Sequence, residues 1–188
     1  MQGEYKVMHR IMLELHQDHI HLSRLLKMLI RHVIVLQNDG DPDFEMMIDI
    51  VEYIRHYSDS HHHPKEDQVY KVFKEKTDQA THIVDGLLDE HHKIPAVTIA
   101  FQQLLNAALN GSIIISRDEL SERITNFIDI QMNHLNIEEE KLFPLINKLM
   151  TDSDWAKVET QIKEENDPLF GSRVEERYED LHKRVESD

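Results

Sequence analysis

His19 is followed 43 residues later by His62 and, four beyond that, by Glu66; His91 is followed 43 residues later by His134 and, four beyond that, by Glu138. The two triplets stand a constant 72 residues apart. Imidazole nitrogens and carboxylate oxygens are the usual ligands of first-row metals, and two three-ligand sets related by an internal repeat point to two metal ions. If both carboxylates bridge, each ion receives two histidines and two carboxylate oxygens and keeps room for an exogenous ligand. That nitrogen and oxygen set suits iron or manganese, and zinc is compatible with it too.

The elements that must position these groups read as four amphipathic helices with apolar residues every three or four positions. The first runs through Met12, Leu15, His19, Leu22, Leu26, Leu29, Val33 and Leu36. The second runs through Met47, Val51, Ile54, Ser58, His62, Glu66, Val69 and Phe73. The third contains Val84, Leu87, His91, Ile94, Thr98, Phe101 and Leu105, and the fourth Ile124, Phe127, Gln131, His134, Glu138, Leu142, Leu145 and Leu149. A histidine on an apolar face is ordinarily a satisfied core residue. Four of them, one per helix and joined by two glutamates, are hard to satisfy that way, because a buried carboxylate without a partner costs several kcal/mol.

The breaks between helices are marked by Asn38-Asp39-Gly40-Asp41-Pro42, with Asp41 and Pro42 read as N-cap and first turn of the second helix, then by Lys76-Thr77-Asp78 and by Asn110-Gly111. Ser116 and Glu119 form a capping-box pattern opening the fourth helix. Connections this short favour antiparallel neighbours. In such hairpins, residues equidistant from the turn lie level. The midpoint of His19 and His62 falls on the Gly40 turn, that of His62 and His91 on Lys76–Thr77, and that of His91 and His134 beside Gly111. All four histidines therefore meet at one height, about 30 Å from one end at 1.5 Å per residue. Pro64 and Pro95 each remove a backbone donor and are expected to disturb their helices locally.

A second, shorter part begins at Thr151-x-x-Asp154, is cut at Asn166-Asp167-Pro168 and Gly171, and ends in a charged helix over roughly 172–186. The expected organisation is an all-α chain: a four-helix bundle over residues 1–150 and a helical extension over 151–188. Trp155, Val158 and Ile162 give that extension an apolar face to pack on the bundle or on a partner chain.

Composition excludes several classes. The 188 residues carry a net charge of −15, which repels phosphate backbones and argues against nucleic acid and anionic membrane as partners. With no cysteine there is no disulfide, thiolate zinc site, cysteine-ligated iron–sulfur cluster or thiol nucleophile. No apolar run is long enough to span a membrane and the start lacks a signal-peptide shape, so the expectation is a cytoplasmic setting. Fourteen histidines are between three and four times ordinary usage of about 2%.

His16-Gln17-Asp18-His19, His62-His63-Pro64-Lys65-Glu66, Asp89-Glu90-His91 and the stretch from His134 through Glu138 to Pro144 resemble the hemerythrin-like family, in its HHE cation-binding branch. The resemblance covers about residues 8–150, and Asp167-Pro168-Leu169-Phe170-Gly171 is similar to the tail of related single-domain members. It implies an up-and-down antiparallel four-helix bundle holding a non-haem di-iron centre, two iron ions, that meets dioxygen. Oxygen-carrying hemerythrins have a second histidine four residues after the third-helix ligand, and here that position is Pro95. Their fourth-helix carboxylate follows its histidine by five residues; here Glu138 and Glu139 occupy the fourth and fifth, and the repeat favours Glu138. The site on this reading offers four histidines, leaving one iron an additional open position.

Neighbouring residues compete for these roles. Of His61, His62 and His63, a regular helix lets one face inward well; the repeat selects His62, with His63 and Asp67 as the register-shifted alternative. His16 is expected at a rim, and Tyr57 and Tyr70 lie within helical reach of the site. The metal ligands expected are thus His19, His62, Glu66, His91, His134 and Glu138. The first functional reading is a di-iron protein that binds, senses or reduces dioxygen or a related small ligand. The alternatives are an enzyme or scavenger acting on peroxide or nitric oxide, an iron-handling or repair protein, and a metal-free helical bundle for protein association, with a homodimer as the partner left open. Ferritin-like oxidases use paired Glu-x-x-His elements, and the one such pair here, Glu179 and His182, lies in the charged tail.

Overall fold

The computed structural model describes residues 8–163 and 166–187. It is all-helical, with no strand among the described residues. Helix α1 spans Arg10–Gln37, α2 Phe44–Tyr57, α3 His63–Lys76, α4 Thr81–Leu109, α5 Arg117–Ile137, α6 Phe143–Leu149, α7 Asp152–Glu159 and α8 Glu179–Glu186. Two π turns, Ser58–His62 and Glu138–Leu142, join α2 to α3 and α5 to α6 without a break. No helix of the described residues is long and apolar enough to cross a membrane.

The caps show why the helices start where they do. Asp43 accepts from the Met46 N–H at 2.9 Å, so α2 begins at Phe44; Asp41 and Pro42 stay outside it, contrary to the expectation from sequence. Ser116 accepts from the Glu119 N–H at 3.1 Å and opens α5. A full capping box between Thr151 and Asp154 opens α7. The last helix is shorter than expected, because a 3₁₀ turn at Glu176–Tyr178 precedes α8. Pro95 lies inside α4 and does not end it.

Each π turn ends two residues before a proline. The His63 N–H bonds to the Ser58 carbonyl and the Phe143 N–H to the Glu138 carbonyl, five residues back in each case. Pro64 and Pro144 follow at the start of α3 and α6. A proline has no N–H for the carbonyl four residues earlier, and its ring collides with that carbonyl; widening the helix by one residue relieves the collision.

Helix α1 packs on α5, α2 on α4, and α4 on α5, with further contacts of α1 with α2 and of α3 with α4 and α7. Two apolar clusters fill the interior. One holds Leu22 to Leu36 of α1, Met47 to Tyr57 of α2, Phe101 and Leu105 of α4, and Leu120 to Leu135 of α5. The other holds Ile11 to Leu15 of α1, Val69 to Phe73 of α3, Val84 and Leu87 of α4, and Leu142 to Met150. The chain thus passes from the second cluster to the first along α1 and α4, and back along α2–α3 and α5–α6. The C-terminal residues join both: Trp155 and Val158 the second cluster, Leu169, Tyr178, Leu181 and Val185 the first. Burying each such side chain contributes about 1.5–3 kcal/mol.

Candidate metal centre

Between the two clusters, α1, α3, α4, α5 and both π turns bring polar residues inward. His19 lies between Leu15 and Leu22, His91 between Leu87 and Ile94, and His62, His63 and Glu66 between Tyr57 and Val69. His134 and Glu138 occupy the corresponding stretch of α5 and its π turn. Glu66, Glu138 and His62 are 0% exposed, and no lysine or arginine pairs with either glutamate among the described residues.

The six residues singled out by spacing all meet, with Nε2 atoms facing carboxylate oxygens. His19 Nε2 lies 3.3 Å from Glu66 Oε1 and 3.4 Å from Glu138 Oε2. His62 Nε2 lies 3.4 Å from Glu66 Oε2, and His134 Nε2 3.4 Å from Glu138 Oε1. His91 Nε2 lies 3.5 Å from Glu66 and 3.6 Å from Glu138. His19 and His62 bring their Nε2 atoms within 3.1 Å of each other.

A seventh residue belongs to this group. His63 is 6% exposed and lies with Glu66, His91 and His134 in one set of potential donors; His19, His62, Glu66 and Glu138 form the other. His63 stacks on His91 with ring centroids 4.3 Å apart and meets His134 edge-on. The expectation that one of three neighbouring histidines faces inward assumed an unbroken α-helix. The π turn at Ser58–His62 changes the angular step there, and both His62 and His63 reach the core. The site gathers five imidazoles, and His63 stands on a different helix from the position occupied by Pro95.

Outside this core a second set of carboxylates closes a ring. Asp18 Oδ2 faces His62 Nδ1 at 3.3 Å, Asp67 Oδ1 faces His91 Nδ1 at 2.7 Å, Glu90 Oε2 faces His134 Nδ1 at 2.8 Å, and Glu139 Oε1 faces His19 Nδ1 at 2.8 Å. Each of these acids is the chain neighbour of a core residue on one helix and bonds a core histidine on another. A carboxylate on Nδ1 fixes the proton there and aims the Nε2 lone pair inward, as at metal-bound histidines. Glu139, an alternative to Glu138 in the sequence, therefore serves on the outside, where it also bonds His16 at 3.0 Å on the exposed rim. Tyr70 donates to Glu138 Oε1 at 2.6 Å, and Tyr57 to Asp18 Oδ1 at 2.9 Å.

The electrostatics of the metal-free site follow from this crowding. Burial opposes a charge on His19, but Glu139, Glu66 and Glu138 outweigh it and push its pKa up to about 10. His91 is likewise pushed up to about 10, by Asp67, Glu138 and Glu66 against its burial. Burial works to raise Glu138, yet His134, His91 and His19 hold it well below the usual carboxylate range. His63 has its pKa lowered well below the usual value, first by burial and then by the neighbouring imidazoles of His91, His62 and His134.

The residues fit a bound cation. Both oxygens of Glu66, Glu138 Oε2, His91 Nε2 and His134 Nε2 are buried without a hydrogen-bond partner. Separations of 3.3–3.6 Å are what donors about 2.0–2.2 Å from a shared ion adopt. The outer carboxylates carry the same 72-residue offset, Asp18 to Glu90 and Asp67 to Glu139, each beside a core residue.

Among known proteins, the family model described as Hemerythrin HHE cation binding domain matches residues 11–146. No curated protein and no solved structure matches the chain.

Proposed function

The chain belongs to the hemerythrin HHE cation-binding family, and from that premise we propose that it is a non-haem di-iron protein that binds or senses dioxygen or a related small ligand. The observation that carries this reading is the pair of fully buried glutamates whose oxygens face five imidazoles; both oxygens of Glu66 and Oε2 of Glu138 find no hydrogen-bond donor, and Tyr70 alone donates to Glu138 Oε1. His63, His91 and His134 would hold one ion, His19 and His62 the other, and Glu66 and Glu138 would span both. The second ion then has fewer protein ligands, and an exogenous ligand would join there. The alternating course of the chain between its two apolar clusters supports an up-and-down antiparallel four-helix bundle over residues 1–150, with 151–188 as an extension packed on it.

Iron held there by these histidines and glutamates would supply the electrons for binding or reducing dioxygen. The protein's part is to hold the Nε2 lone pairs inward through the ring of outer carboxylates, and to keep the pocket apolar where Phe143 stacks on His19 at 5.1 Å. Tyr70, a buried phenol whose hydroxyl touches Glu138, orients that carboxylate and keeps a proton at hand. That proton favours a second reading, reductive scavenging of peroxide, in which the ligand is consumed.

Anaerobic loading with ferrous iron followed by admission of air tests both readings. The proposal expects about two irons per chain and a new near-ultraviolet to visible band. Loss of the band on degassing assigns a carrier, and persistent oxidation a sensor or scavenger. Fewer than about 1.5 irons per chain, or no optical response, contradicts the di-iron reading.

A further inference from the structure

A cavity of about 610 Å³ opens beside the bundle, walled by Glu14, Asp18, His21, Tyr57, Asp167 and Phe170 among others. The family match ends before Asp167, and none of the proposed ligands above lines this cavity. On its wall, Asp18, His21 and Asp167 each place one donor atom within 4.8 Å of the other two.

The Asp167 turn is built to hold that position. Asp167 Oδ1 accepts from the N–H groups of Leu169 and Phe170 at 2.8 and 2.9 Å, and Tyr53 donates to both carboxylate oxygens at 3.0–3.1 Å. Gly171 closes the turn so tightly that a Cβ there would lie 2.4 Å from the Asp167 carbonyl oxygen. Phe170 stacks on the His21 ring at 4.0 Å and fixes its plane. These contacts account for the carboxylates. They leave His21 Nδ1 buried without a hydrogen-bond partner, 3.9 Å from Asp167 Oδ2.

The other ring nitrogen, His21 Nε2, lies 2.9 Å from the Gln17 side-chain amide. The Gln17 amide nitrogen faces it and donates, so Nε2 accepts and Nδ1 carries the proton, which a bound cation would displace. Arg10 and Lys65 at the cavity wall both reach Glu14, Lys65 also acts through its charge on Asp18, and Lys163 lines the same cavity. Donors around one first-row ion lie about 3 to 4.2 Å apart, so small shifts of the three side chains suffice to close the set.

We propose that Asp18, His21 and Asp167 form a third, mononuclear site for a first-row divalent cation, separate from the core centre and open to the cavity. One nitrogen and two carboxylate ligands suit ferrous iron, zinc or cobalt, with water from the cavity completing the shell. The site touches the core through one bond, from Asp18 to His62. It does not depend on how many ions the core holds.

Cobalt(II) titrated into the chelator-stripped full-length protein, with bound metal counted after equilibrium dialysis, tests the proposal. The wild type is expected to take up one cobalt more than either His21→Ala or Asp167→Asn. The asparagine still accepts from Leu169 and Phe170, so the turn stays docked while the anionic ligand is lost. Equal thermal melts of the metal-free forms check that the fold is kept, and either folded variant suffices. His91→Ala, which damages the core centre alone, should retain the His21-dependent ion. If wild type and both variants bind the same amount, the third site does not exist, whatever the core count. A low core count with the His21-dependent ion intact would instead contradict the di-iron reading.

Discussion

His19 and His91 set the proton count of metal uptake. Their pKa values of about 10 in the metal-free protein mean that both are charged at neutral pH, and their Nε2 protons must leave before a cation binds. Loading at pH 7.5 should therefore release about two protons per chain, read from the dependence of calorimetric heat on buffer ionisation. Release of less than one would place the ligands elsewhere. The sign for stability runs the other way. A raised folded pKa stabilises the metal-free protein fully below about 6.5, and that contribution fades as pH climbs through about 10. At this scale the repeat made His19, His62, His91 and His134 legible, because a constant offset survives whatever lies between. His63 was not legible from an α-helical period; Asp18 with Glu90 and Asp67 with Glu139 share the 72-residue offset, but the histidines they bond lie across helices, which spacing along one helix does not give.

The elements decide which of these side chains meet. Pro64 forces the π turn that brings His63 beside His62, so Pro64→Ala, which restores a backbone donor, should let the helix rewind and carry His63 away. Metal affinity should drop about tenfold with helix content kept, measured by competition with a chromophoric chelator. Unchanged affinity would separate the π turn from ligand placement. Helix α7 offers an independent check on the extension. Asp154 accepts from Thr151 N–H and Oγ1 at 2.8 and 2.6 Å and pairs with Lys76 at 2.6 Å, which holds its carboxyl well below the ordinary value of 3.8. A lowered folded pKa stabilises above the unfolded value and is lost as pH falls. Asp154→Asn should thus cost about 1 kcal/mol near pH 6, and less below about pH 3.8, in paired denaturation curves. The capping boxes and short breaks gave these helices away in the sequence, apart from α2, where Asp43 rather than Asp41 caps, and the shortened α8. At α2 several acidic residues stand within a few positions of the start and Asp43 is the one that caps, while α8 starts without a side-chain cap, after the 3₁₀ turn.

At the scale of the whole molecule, two apolar clusters clasp a layer of five histidines and two buried glutamates that no lysine or arginine joins among the described residues. Apolar burial alone does not satisfy that layer, so a bound cation should stabilise the fold. Removing metal with a chelator should lower the melting temperature by several degrees, and readdition should restore it. An unchanged melting temperature would favour a bundle that needs no metal. The most direct measurement of the central claim is anomalous diffraction at the iron edge from iron-loaded crystals. Two peaks about 3.5–4 Å apart are expected, both beside Glu66 and Glu138, one against His63, His91 and His134 and the other against His19 and His62. A single peak in the core, or none between the two glutamates, would contradict it.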